Sequence, residues 1–153
     1  MKSAPGEGST FYASIPMMYK SAVPVIEPTW DVNPRLAPIL LVEDSIEIRL
    51  LYEKYLKNSA YQLLAAASLR QARHALEHFR PAALILDVML QGEDTWAFLG
   101  EIKSQDSTRD IPVIVQTVVE DAEKAAALGA DAFLMKPLDR ELLLKELTRL
   151  VGA

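Results

Sequence analysis

Five polar residues stand directly behind short apolar runs: Glu43 and Asp44 after ILLV, Asp87 after ALIL, Thr117 after VIVQ, and Lys136 after AFLM. Gathered at one place, they would supply three carboxylates, one hydroxyl and one ammonium. Carboxylates in contact repel one another and raise each other's pKa. Such a cluster persists most easily around a divalent cation, and hard oxygen donors with room for waters suit Mg²⁺. A carboxylate beside Mg²⁺, a Lys and a Thr is equipped to accept a phosphoryl group. The cations neutralise the transferring oxygens, and the hydroxyl and backbone amides hydrogen-bond them. Asp87 would be the nucleophile and would carry an aspartyl phosphate.

The elements needed to bring these residues together are legible in the apolar pattern. Runs at 39–42, 63–67, 83–86, 113–115 and 132–135 have the length of buried strands. Amphipathic stretches separate them. Ser45–Lys57 carries Ile46, Leu50, Leu51 and Tyr55, and Ser68–Phe79 places Leu69, Ala72, Leu76 and Phe79 on one helical face. Ser68-x-x-Gln71 is a capping-box pattern. Thr95–Lys103 is a third helix, although Gly100 costs it about 1 kcal/mol relative to Ala. Glu120–Leu128 is a fourth, stopped by Gly129, and Asp139–Val151 is the fifth, with Leu143, Leu147 and Leu150 on one face. Alternating strands and helices, five of each, imply an α/β fold with a parallel sheet covered on both faces. The functional crevice of such a sheet lies at the carboxyl ends of its strands, where the five polar residues stand.

Residues 1–37 read differently. Six of the nine prolines lie in residues 1–38, and proline removes backbone donors and forces extended neighbours. Residues 17–37 are therefore expected to be a linker, with Trp30 and Met17-Met18 as docking contacts or mere composition and the domain proper beginning at residue 38. The chain of 153 residues has no cysteine, which excludes disulfides and thiolate metal sites. Its net charge of -5 and lack of a basic stripe argue against nucleic acid as a direct partner. No apolar run approaches the roughly 18–20 residues of a membrane span, and no signal peptide is evident, so a cytoplasmic location without membrane contact is expected.

Residues 39–153 resemble a response-regulator receiver domain, through ILLVEDS, LILDVMLQGEDTW, IPVIVQT and GADAFLMKP in that order. The resemblance implies a (βα)5 flavodoxin-like three-layer fold with strand order 2-1-3-4-5. It implies that Asp87 is the phosphoacceptor, and that Asp44, Asp87 and the backbone carbonyl of Met89 hold Mg²⁺ with Glu43 behind them. Thr117 and Lys136 match the phosphoryl-binding pair, Thr117 and Phe133 the residues that switch on activation, and Lys136-Pro137 a cis peptide bond. The phosphodonor would be a histidine kinase or a histidine phosphotransfer domain; a weak homodimer is left open. The domain would catalyse only its own phosphorylation and dephosphorylation.

There are departures. Gln91 stands where Pro is common, Thr95 where Gly is frequent, and Val118 where a small residue is usual. The interval from Thr117 to Lys136 is about three residues short, roughly one helical turn, so partner contacts through the fourth helix do not carry over. Two other functions compete. A pseudo-receiver scaffold would not be phosphorylated, but it typically lacks the acids or the Lys, and all are present. A haloacid-dehalogenase-type phosphohydrolase needs a second Asp two residues past its nucleophile, where this chain has Met89. His74 and His78 could share a metal from one helix face; without an evident third ligand, a solvated face is the reading taken.

The opening GEGSTFYASIP resembles the last segment of a histidine-kinase ATP-binding domain. Residues 1–16 are therefore expected to be a remnant of one, and the chain the C-terminal receiver of a hybrid sensor kinase. Nothing up to Gly152-Ala153 resembles an output domain.

Overall fold

The apolar runs form strands, the central ones buried on both faces, and the intervening amphipathic stretches form helices that cover them. The computed structural model describes residues 28–118, 121–136 and 138–152. Its elements run β1 Ala37–Val42, α1 Ile46–Leu56, β2 Tyr61–Ala66, α2 Leu69–His78, β3 Ala83–Asp87, α3 Thr95–Ser104, β4 Val113–Thr117, α4 Ala122–Ala127, β5 Ala132–Met135 and α5 Arg140–Val151. All strand pairs are parallel, and the sheet order is β2-β1-β3-β4-β5. The α/β fold with strand order 2-1-3-4-5 is thus the observed one.

Strand alternation divides the core into two layers. Leu40, Val42, Leu84, Leu86, Val113 and Val115 face α2, α3 and Ala125 of α4. Ile39, Leu41, Ile85 and Ile114 face Tyr52 and Leu56 of α1 and Leu143 and Leu147 of α5. A sheet sandwiched this way exposes neither face to water, which explains the continuous apolar runs.

Helix ends follow local chemistry. Ser45, Ser68, Asp94 and Asp139 each accept a first-turn N–H with the side chain. The Ser68 box closes one residue out of its expected register: Gln71 Oε1 accepts from Ala67 N–H at 2.7 Å, and the carboxylate of Glu93 takes Leu69 N–H at 3.1 Å. Gly129 ends α4 at φ 98°, a conformation that suits glycine, and a Cβ there would lie 3.1 Å from Lys103 Cγ.

Several expectations shift. β2 begins at Tyr61 rather than residue 63, since Tyr61 is itself buried and pairs with Ala37. β4 continues through Gln116 and Thr117, which remain buried. On α1 the core side is Tyr52 and Leu56, whereas Ile46, Leu50 and Leu51 face outward. That helix is apolar on nearly every side, so its period does not fix its rotation. Of the two readings given for Trp30, the docking contact is the one seen. Trp30 packs on the core edge-on to Phe79, at 5.8 Å between ring centroids, and its indole N–H donates to Ala65 O at 3.1 Å. The expectations for residues 1–27 and for the Lys136–Pro137 bond fall outside the described residues.

Phe98, fully buried at the centre of the α2/α3 layer, tests this packing. Phe98→Ala should cost about 3–5 kcal/mol of unfolding free energy, read from urea titration by circular dichroism.

Candidate functional site

Parallel register sets the site. Val42 pairs with Leu86, so Glu43 and Asp87 leave adjacent strands at the same level. β4 and β5 add Thr117, paired with Met135, and then Lys136, whose backbone N–H donates to Thr117 O at 2.9 Å. All five residues singled out in the sequence therefore reach one rim, at the reversal of strand order between β1 and β3.

Glu43 and Asp87 are almost fully buried, while Asp44 is exposed. One oxygen from each of the three lies within 4.8 Å of the others. Two carboxylate charges at that spacing repel by roughly 3–4 kcal/mol at an effective dielectric of about 20. Lys136 answers this repulsion. Its Nζ donates to Glu43 Oε2 at 2.9 Å and to Asp87 Oδ2 at 3.0 Å. Burial opposes the ammonium charge, yet the two carboxylates outweigh it, and the Lys136 pKa is raised. Burial pushes the Glu43 carboxyl upward; the hydrogen bonds from Lys136 and from Ser45 N–H only partly offset it.

The other Asp87 oxygen and one oxygen of Asp44 meet backbone donors. Asp87 Oδ1 accepts from Met89 N–H at 2.9 Å, and Asp44 Oδ2 accepts from Gln91 N–H at 3.3 Å. Met89 itself is exposed at the rim. Thr117 is buried, and Phe133 is half-buried against the α2/α3 layer. For a divalent cation the donor set fits: oxygen atoms only, closely spaced, with one carboxylate open to solvent.

The sequence profile of the family described as "Response regulator receiver domain" matches residues 39–148. The chain belongs to that family. It is 38% identical over 109 residues to the transcriptional regulatory protein GltR of Pseudomonas aeruginosa, covering 69% of this chain and 45% of GltR. The receiver thus spans less than half the length of that curated relative. Among solved structures, the signal receiver domain of a histidine kinase from Syntrophus aciditrophicus superposes with a TM-score of 0.70 at 31% identity, over 76% of this chain and 90% of that one. The receiver domain of sensor histidine kinase PA1611 from Pseudomonas aeruginosa, described with a magnesium ion in its active-site cleft, gives 0.69 at 30% identity, over 77% and 99%.

The receiver's departures have visible consequences. Thr95 is buried, and its hydroxyl donates to Val88 O at 2.7 Å, tying the start of α3 to the residue after Asp87. Gln91 contributes its backbone N–H to Asp44, a contact that proline could not make. Val118 stands exposed beside Lys136 rather than folding over the carboxylates.

Other supports went unread in the sequence. Arg49 donates to the Glu43 carbonyl at 2.7 Å. Tyr52 O–H donates to Gln116 Oε1. Helical spacing from Ser45 was the available signal for Arg49; none pointed to the Tyr52–Gln116 pair, 64 residues apart. Away from the rim, Glu77 stands with His74 and His78, so the pair does have a neighbouring third donor.

Removing the bridging ammonium should expose the carboxylate repulsion. Lys136→Met should lower unfolding free energy at pH 7 by about 1–3 kcal/mol, as expected when a buried acceptor loses its partner. Glu43 already has a raised pKa, so its protonated form is the one the fold prefers. The loss should therefore shrink as pH falls toward 4.5 and grow as pH rises, in urea titrations at several pH values.

Proposed function

We propose that Asp87 accepts a phosphoryl group from a phosphohistidine donor and that the aspartyl phosphate shifts the receiver between two surface states. The observation that carries this reading is the double engagement of Lys136, on Asp87 and Glu43, at the rim of the sheet. A carboxylate oxygen of Asp87 attacks phosphorus, the N–P bond of the donor breaks, and its electron pair returns to the imidazole. As charge moves onto the phosphoryl oxygens, Lys136 follows it, and the Thr117 hydroxyl hydrogen-bonds the new group. Asp44, Asp87 and the Met89 carbonyl, with Glu43 behind them, would hold Mg²⁺, which supplies positive charge to the transferring oxygens. Thr117 and Phe133, on neighbouring strands, are the residues proposed to switch with phosphorylation.

The outward apolar residues of α1 support a protein donor. Ile46, Leu50 and Leu51 are exposed on α1, whose N-cap Ser45 directly follows Asp44. A donor that presents its histidine on a helical surface could rest there while reaching Asp87. The finer placement, as the C-terminal receiver of a hybrid sensor kinase in the cytoplasm, rests on the GEGSTFYASIP resemblance. It is also consistent with the two solved histidine-kinase receivers of similar fold.

Incubation with Mg²⁺ and acetyl phosphate should add one phosphoryl mass to the intact chain, and Asp87→Asn should abolish the adduct. A chain that stays unmodified with acetyl phosphate and with a phosphohistidine protein would instead be a scaffold. Leu50→Asp should slow transfer from the protein donor by about tenfold or more, as for a truncated interface anchor, and leave the acetyl phosphate rate unchanged.

A further inference from the structure

We propose that His74, Glu77 and His78 on α2 form a surface binding site for one divalent transition-metal ion of the zinc class, separate from the carboxylate rim. The site uses none of the phosphoacceptor residues, so it stands or falls apart from the function proposed above.

The spacing i, i+3, i+4 puts all three side chains on one helical face. One ligand atom from each lies within 4.8 Å of the others. Donors around a tetrahedral zinc ion sit about 3.3–3.5 Å apart, given bond lengths near 2.1 Å. Glu77 and His78 are exposed, so rotamer adjustment without backbone movement can close that difference. Two imidazoles and one carboxylate are a common zinc donor set, and three protein ligands leave the fourth position to water.

Contacts hold both rings near this arrangement before that adjustment. His78 Nδ1 lies 2.9 Å from the carbonyl oxygen of His74. A carbonyl only accepts, so Nδ1 is the donor and Nε2 is the ring nitrogen left to face a metal, as in metal-bound histidines that donate their other ring nitrogen to an acceptor. The His74 ring packs against Trp30 at 6.0 Å between centroids, and Trp30 is itself fixed by Ala65 O and Phe79. The adjacent cation Arg73 is drawn off to Glu101, with Nη2 to Oε1 at 2.8 Å. The Glu77 carboxylate is then the charge that favours a cation, opposed by Arg70, which lines the same patch.

The tag-free full chain carrying Asp87→Asn, in saturating Mg²⁺ to keep zinc from the carboxylate rim, would be titrated with zinc chloride by calorimetry. One ion should bind per chain. His74→Ala and His78→Ala should each weaken binding at least as much as losing an orienting partner does, about 10–100-fold. In a Trp96→Phe background, where Trp30 is the remaining tryptophan, Cu²⁺ at the same site should quench Trp30 fluorescence, and His74→Ala should abolish the saturable quenching. Absence of zinc binding, or binding unchanged in both histidine variants, would overturn the proposal.

Discussion

Two buried carboxylates share one ammonium, and much of the fold is the apparatus that makes this tolerable. Glu43 and Asp87 leave adjacent strands at one level, so the sheet that buries them also forces their charges together. The only cation bonded to both, among the described residues, is Lys136 at the end of β5. β5 must therefore lie beside β4, close enough for Lys136 N–H to reach Thr117 O. A lysine on a flexible loop would lose more side-chain and backbone entropy to reach the same position, on the order of 1–2 kcal/mol per residue ordered. Sheet topology supplies that order in advance.

Around this pair, contacts fix the rim through main-chain atoms more than through further charges. Arg49 holds the Glu43 carbonyl, Thr95 the Val88 carbonyl, and the N–H groups of Ser45, Met89 and Gln91 each hold a carboxylate oxygen. Backbone donors stabilise a carboxylate without adding a titratable group, and under the proposed phosphorylation of Asp87 they would need no rearrangement. The exposed residues beside them, Met89 and Val118, are the ones free to reshape the surface.

The strand cores and the polar residues behind them were legible because burial on both faces writes an uninterrupted apolar run, and the run ends where solvent begins. Other features were hidden for identifiable reasons. Ile46, Leu50 and Leu51 marked a helix without marking its buried side, since a helix apolar on most sides has no unique phase. The Gln71 side chain accepts from Ala67 N–H rather than from the Ser68 N–H of a capping box, and Glu93, 24 residues away, takes Leu69 N–H. Thr95 read only as a departure from the family pattern, yet its hydroxyl is a buried donor to the segment following Asp87. These features depend on side-chain placement in the packed fold, which an apolar period does not register.

The segment before β1 shows why a proline-rich stretch need not be a passive tether. An edge strand presents unpaired backbone groups that invite association, and β2 is one such edge. Trp30 donates to Ala65 O, Asn33 N–H donates to Gln62 Oε1, and Gln62 Nε2 donates to the carbonyls of Asn33 and Leu36. These bonds tie residues 30–36 along β2 through side chains, without forming another strand. Pro28 and Pro34 fit the arrangement, because a residue without an N–H cannot extend the ladder. The opposite edge is handled by brevity: β5 has four residues and ends at the lysine on which the site depends. Covering β5 with a similar segment would crowd the rim, whereas covering β2 leaves it open.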